Sequence, residues 1–143
     1  MERWKSKSIG FMIGYLNRAA HKYFTSRFSQ YGLNIGNIFI LKRLYMKDGL
    51  KQHEICDNLH LDKAGVARNM NKLIESGFIR KDVDPADKRA NRIHLTSKAK
   101  DFKLEFDTIF RSWSDKLTEG FDPVEQEEVK KNLLRMIANL GEQ

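Results

Sequence analysis

The stretch from Asp62 to Asn91 limits what this chain can fold into more than any other. A short amphipathic helix, a turn at Ser76-Gly77 and a basic hairpin follow one another there without interruption. Between Asp62 and Glu75 the large apolar residues are Val66, Met70, Leu73 and Ile74. They fall at i, i+4, i+7 and i+8, which at about 100° per residue makes one narrow apolar stripe. The opposite face carries Ala64, Gly65, Arg68 and Lys72, with Asn69 and Asn71 on its flanks. A face that is small at its start and basic or amide further on suits the major groove of duplex DNA, where small residues let the backbone approach and Arg and Asn read base edges. Beyond the turn, residues 78–83 and 92–96 predict two strands, and 84–91 a turn-rich tip bearing the adjacent cations Lys88 and Arg89. Helix, hairpin and basic tip in that order predict a winged helix-turn-helix, in a fold that is mainly α with a small β-hairpin wing.

The formal charge of +7 alone says little about partners, but its placement says more. Residues 1–31 carry six Lys/Arg against one acid and residues 62–96 eight against five, whereas residues 97–143 carry eight against ten. The single cysteine, Cys56, excludes an intrachain disulfide and fits a reducing compartment. The apolar run from Ile9 to Leu16 is short for a signal-peptide core and far below the roughly 20 residues of a membrane span. A cytoplasmic chain with no membrane partner is expected. No nucleophile–base pair, phosphate-cradling glycine loop or carboxylate pair stands out, and the histidines lack ligand spacing. Neither an enzyme, nor a metal site, nor a cofactor is expected.

Along the chain, Met12, Leu16, Ala19, Ala20 and Tyr23 predict a long helix over residues 6–29, with further apolar residues spread around it. Asn34 is placed to cap a second helix over 35–46, with Ile35, Ile38, Leu41, Leu44 and Tyr45 on its core side. Residues 51–59 predict a third, with Ile55, Cys56 and Leu59 inward. Leu59-His60-Leu61 is the turn into the Asp62–Glu75 helix, and Asp62 is its N-cap. Phe102, Phe106, Ile109, Phe110, Trp113 and Leu117 mark a long fifth helix after Thr96-Ser97. Asp122-Pro123-Val124-Glu125 spells a capping box with proline at the first helical position of the last helix. The apolar faces of the terminal helices are expected to meet each other and a second copy of the chain.

Three segments resemble the MarR family of transcriptional regulators, and the likeness covers essentially the whole chain. They are Gly49-Leu50-Lys51-Gln52-His53-Glu54-Ile55, then Leu73-Ile74-Glu75-Ser76-Gly77-Phe78-Ile79-Arg80-Lys81, then the wing Asp84-Pro85-Ala86-Asp87-Lys88-Arg89 running into Ile93-His94-Leu95-Thr96-Ser97-Lys98-Ala99. The resemblance implies one domain over 1–143, with residues 35–96 as the DNA-binding region and 1–31 and 97–143 as dimerisation helices. It implies a homodimer on a pseudo-palindromic operator, acting as a repressor and released by a small aromatic or anionic effector. Lys51 departs from the family's usual helix-capping Thr, which leaves Glu54 to satisfy that helix end. His60 replaces a frequent turn glycine. Ala64, Gly65 and Ala67 stand where hydroxyl residues are common.

The residues expected at DNA are therefore Lys63, Ala64, Gly65, Arg68, Asn69, Lys72, Lys88 and Arg89. Asp87 is expected to hold Arg89 by a carboxylate–guanidinium pair. Arg80, Lys81 and Arg92 alternate along the strands as solvated residues. By resemblance only, Tyr15, Arg18, Phe39 and Arg43 line an effector cleft; the alternative makes them core aromatics and surface arginines. Two further alternatives stay open: a regulator responding to oxidation of Cys56, and a winged helix that binds protein without specific DNA binding.

Overall fold

The computed structural model describes residues 1–59 and 62–141, with Glu2, Asn58 and Leu59 as backbone only. The turn expected around His60 lies outside the described residues. Among the described residues, α-helices and strands follow in the order α1 (Glu2–Lys5), α2 (Ile9–Phe28), α3 (Ile35–Met46), β1 (Leu50–Lys51), α4 (Gln52–Leu59), α5 (Lys63–Glu75), β2 (Ile79–Asp84), β3 (Asp87–Leu95), α6 (Ser97–Leu117) and α7 (Pro123–Asn139), with a short 3-10 turn at Ser29–Tyr31 after α2. The strands form one antiparallel sheet in the order β1-β3-β2. The fold is thus mainly α with a β-hairpin wing. Two compact units are distinguished, Met1–Ile109 and Phe110–Gln143.

In the first unit, α3 starts where Asn34 accepts from the Asn37 backbone N–H (2.9 Å) while the Asn37 side chain accepts from the Asn34 N–H (3.1 Å). Its Ile38, Ile40, Leu41 and Leu44 are buried together with Ile55 of α4 and Val66, Met70 and Leu73 of α5. The predicted turn at Ser76-Gly77 is a Schellman ending of α5. Phe78 N–H donates to Leu73 O and Gly77 N–H to Ile74 O, with Gly77 at φ +74°, which a side chain would strain. Phe78 then enters an aromatic cluster with Phe102, and Phe28 packs on Phe106, at centroid distances of 5.5 and 5.2 Å. Tyr45 Oη donates to Ala99 O at 2.5 Å, which ties the start of α6 to α3. Burial raises the pKa of that phenol well above its usual value, so it stays a donor.

Two boundaries differ from the sequence reading. The helix expected from residue 51 begins at Gln52, because Leu50 and Lys51 pair with Ile93 and Arg92 as β1. The long helix expected over residues 6–29 is α2, which starts at Ile9 where Ser8 caps it by accepting from Phe11 N–H, and the short α1 ahead of it was not expected.

In the second unit, α7 opens as the sequence predicted. The Asp122 carboxylate accepts from the Val124 and Glu125 N–H groups, and Glu125 accepts from the Asp122 N–H. Its Val129, Leu133, Leu134, Ile137 and Leu140 are exposed.

Candidate nucleic-acid interface

Helix α5 divides cleanly by face. Asp62 caps it by accepting from Gly65 N–H, and Val66, Met70 and Leu73 are wholly buried. Outward stand Lys63, Ala64, Arg68, Asn71 and Lys72, all exposed, with Gly65 half-buried. Gly65 makes room for the cap, since a Cβ there would lie 2.9 Å from Asp62 Oδ1. Among the described residues, Lys63, Arg68 and Lys72 have no carboxylate within ion-pair distance, so the face presents unneutralised cations.

Asn69 is the exception to the expected face. Its side chain turns onto α3, where the Asn37 amide donates to Asn69 O (2.9 Å) and Oδ1 (3.3 Å), while Asn69 Nδ2 donates back to Gly65 O (2.9 Å). Ile74, expected within the buried stripe, is instead 36% exposed.

The wing is a tighter hairpin than a turn-rich tip over 84–91. Asp84 pairs with Asp87 across Pro85-Ala86, so Lys88 and Arg89 lie on β3 itself, exposed and also without a carboxylate partner among the described residues. Asp87 does not hold Arg89 by its guanidinium. Its Oδ1 accepts from the Arg89 backbone N–H at 3.0 Å, shaping the turn through the main chain.

The guanidinium pair belongs to Asp84, whose carboxylate is buried. Its Oδ1 accepts from Ala86 N–H (3.0 Å), and Oδ2 sits between Arg92 Nε (3.1 Å) and Lys51 Nζ (3.4 Å) by charge attraction more than by well-aligned hydrogen bonds. Arg92 also donates to Gly49 O at 2.9 Å, so it is not merely solvated. Arg80 likewise pairs with Asp82 at 2.9 Å. The Ala86 hydrogen bond, with Arg92 and Lys51, holds the Asp84 carboxyl below its usual range against the opposing effect of burial. At the start of α4, Lys51 N–H donates to Glu54 Oε2 (2.7 Å), the end-satisfying bond expected of Glu54, and this bond lowers the pKa of Glu54.

A cleft of about 500 Å³ opens beside these elements, lined by Lys51, His53, Cys56, Lys63, Arg89 and Asn91 among others. Cys56, expected inward, is half-exposed and forms part of its wall. The four residues expected at an effector cleft are Tyr15, Arg18, Phe39 and Arg43. Tyr15 lines a cavity of about 390 Å³ with Arg3, Trp4, Met12 and Leu16, which Arg18, Phe39 and Arg43 do not line. Phe39 is exposed, and Arg43 Nε is buried without a hydrogen-bond partner. Among the described residues no helix is long and apolar enough to cross a membrane.

The MarR family model matches residues 33–90, which span α3 to the wing. Among solved structures, a MarR transcriptional regulator from Methanosarcina mazei is 33% identical, covers 92% of this chain and 94% of its own, and superposes with a TM-score of 0.86. The transcriptional regulator SlyA is 26% identical over 94% of each chain, with the same TM-score. The HTH-type transcriptional regulator BilQ of Clostridium symbiosum is 28% identical over 81% of this chain and 78% of its own length.

Proposed function

This chain belongs to the MarR family of DNA-binding transcriptional regulators and is not an enzyme; proceeding from that, we propose that it is a cytoplasmic homodimeric repressor of a pseudo-palindromic operator. The observation that carries the DNA contacts is the outward face of α5, where Lys63, Arg68 and Lys72 lack neutralising partners among the described residues. In this reading residues 35–96 bind DNA, and residues 1–31 and 97–143 dimerise. Arg68 reads a base edge, Lys63 and Lys72 meet phosphates, and Ala64 and Gly65 let the helix approach. Lys88 and Arg89 extend the footprint along the minor groove or its phosphates. Exposed Ile9, Phe11 and Ile13 of α2 support burial against a second copy, as do Leu133, Leu134 and Ile137 of α7. Release by a small aromatic or anionic effector completes the proposal.

The test is a gel shift of the protein's own promoter fragment against random duplex at two salt concentrations. Preference for the promoter that survives the higher salt is expected. Equal binding to both, abolished together by salt, contradicts sequence-specific reading and favours a protein-binding winged helix. A second reading draws on Cys56 in the wall of the cation-lined cleft: peroxide oxidises its thiol to sulfenic acid, releasing water, and this weakens DNA binding. A Cys56→Ser variant that still releases DNA on peroxide treatment removes it.

A further inference from the structure

Among the described residues the polar side chains buried in the core are Asn37 and Asp84. Asp84 has two cations to balance it. Asn37 has none, and its satisfaction comes from the recognition helix. Its Oδ1 accepts from the Asn34 N–H and completes the cap of α3, while its Nδ2 donates to Asn69 O and Oδ1 on α5. Each amide is used at both ends, because Asn69 Nδ2 returns to Gly65 O one turn earlier. The neighbouring Gly36 supplies the space. A Cβ added there would lie 2.6 Å from Asn69 Cγ and 2.7 Å from its Oδ1, closer than real side chains sit.

We propose that Gly36, Asn37 and Asn69 form a clasp that sets the rotation and height of α5 on α3, making Asn69 a positioning residue for base reading and not a base-contacting one. The inference rests on the DNA-reading function proposed above. Apolar packing of Val66, Met70 and Leu73 is non-directional and tolerates sliding along the stripe. A buried amide bonded to one main-chain carbonyl is directional, and displacement leaves it unsatisfied in the core. The consequence belongs to Arg68, one residue before Asn69 on the outward face. Bidentate recognition of a base edge fails with a shift of the order of 1 Å, whereas contacts from flexible side chains to phosphates accommodate it.

The probe is the duplex that the wild-type protein enriches from a randomised double-stranded pool, compared with an unselected duplex of equal length. Asn37→Asp keeps the cap acceptor for Asn34 but, when ionised, has no donor for Asn69 O. Its expected affinity loss at pH 8 is about tenfold on the selected duplex, the order of one buried hydrogen bond, and small on the unselected one. Burial at position 37 raises the carboxyl above its ordinary value, so protonation restores the donor and the deficit relative to wild type is expected to shrink at pH 5. Reselection with Asn69→Ala should enrich the same base pairs as wild type. Gly36→Ala should lose affinity for the selected duplex, and adding Asn69→Ala, which removes the colliding amide, should bring it back to the level of Asn69→Ala alone.

A base-pair preference altered by Asn69→Ala while Asn37→Asp binds like wild type overturns the proposal and makes Asn69 a reader. Equal losses on both duplexes with no pH recovery overturn it as well, leaving a purely structural pair. If wild type enriches nothing, the proposed function fails and the clasp's role in reading fails with it. Urea unfolding separates the two failures: destabilisation by Gly36→Ala that Asn69→Ala relieves shows the clasp intact and the DNA function absent.

Discussion

Arg68 and Asn69 are neighbours in sequence with opposite duties, and the reason lies in helical geometry. At about 100° per residue Asn69 falls about 60° from Val66, at the flank of the arc that Val66, Met70 and Leu73 bury, while Arg68 lies about 160° away. Counting only apolar residues drew the stripe toward Ile74, which is 36% exposed, and left Asn69 on the outer flank. An amide beside a buried arc is silent in an apolar pattern, and its partner Asn37 lies 32 residues away. The signal that existed was Asn69's angular position. Arg68→Ala is expected to cost roughly 1–3 kcal/mol on the specific duplex and to relax its preference at one base pair per half-site. Equal loss on random duplex, read by anisotropy titration, makes Arg68 a phosphate contact. Asp84 gives a pH dependence. Its carboxyl is depressed in the folded state, so its contribution is fully present above the unfolded value of about 3.9 and is lost as pH falls through the lower folded value. Asp84→Asn, which leaves Arg92 and Lys51 uncompensated, should therefore lower the urea midpoint at pH 7, with the gap to wild type narrowing below about pH 4. A gap independent of pH contradicts the buried ion cluster.

At the scale of elements, helix ends were legible and short strands were not. The Asn34 and Asp122 caps, the Schellman turn at Gly77 and the Asp62 cap each have a local chemical signature, and the structure builds them from those residues. Strand β1 has two residues, too few to display a period, and depends on pairing with Ile93 and Arg92 far along the chain. The wing was legible as a hairpin with a basic tip, but its internal wiring was not. Asp84 and Asp87 flank the same turn, and only burial separates the one that meets guanidinium from the one that shapes the backbone. Lys51 links this hairpin to the start of α4 through Asp84, so the wing is held against the DNA-binding helices at its base. Among the described residues its cations Lys88 and Arg89 have no carboxylate partner. Replacing both by Ala removes up to four cations from a dimer, which should flatten the slope of log affinity against log salt by up to ~3–4. An unchanged slope places the wing away from DNA.

For the molecule as a whole, the sequence carried the family and the main order of elements, since the Methanosarcina mazei structure superposes over 92% of this chain and the long helices and hairpin follow one another as expected. Assembly is a different matter, because one chain displays only its own half of any interface. The apolar residues left exposed on α2 and α7 are more than a lone chain of this size needs, and a second copy is the partner that the proposed symmetry requires. Sedimentation at micromolar concentration should therefore give twice the 16.7 kDa of one chain. A monomer removes the two-fold operator from the account. The most direct measurement is selection by the wild-type protein from a randomised duplex pool. The expected product is an inverted repeat whose half-sites are centred about one helical turn, ~10–10.5 base pairs, apart. Enrichment of a single unrepeated site, or of no sequence at all, would contradict a dimer that reads DNA through paired recognition helices.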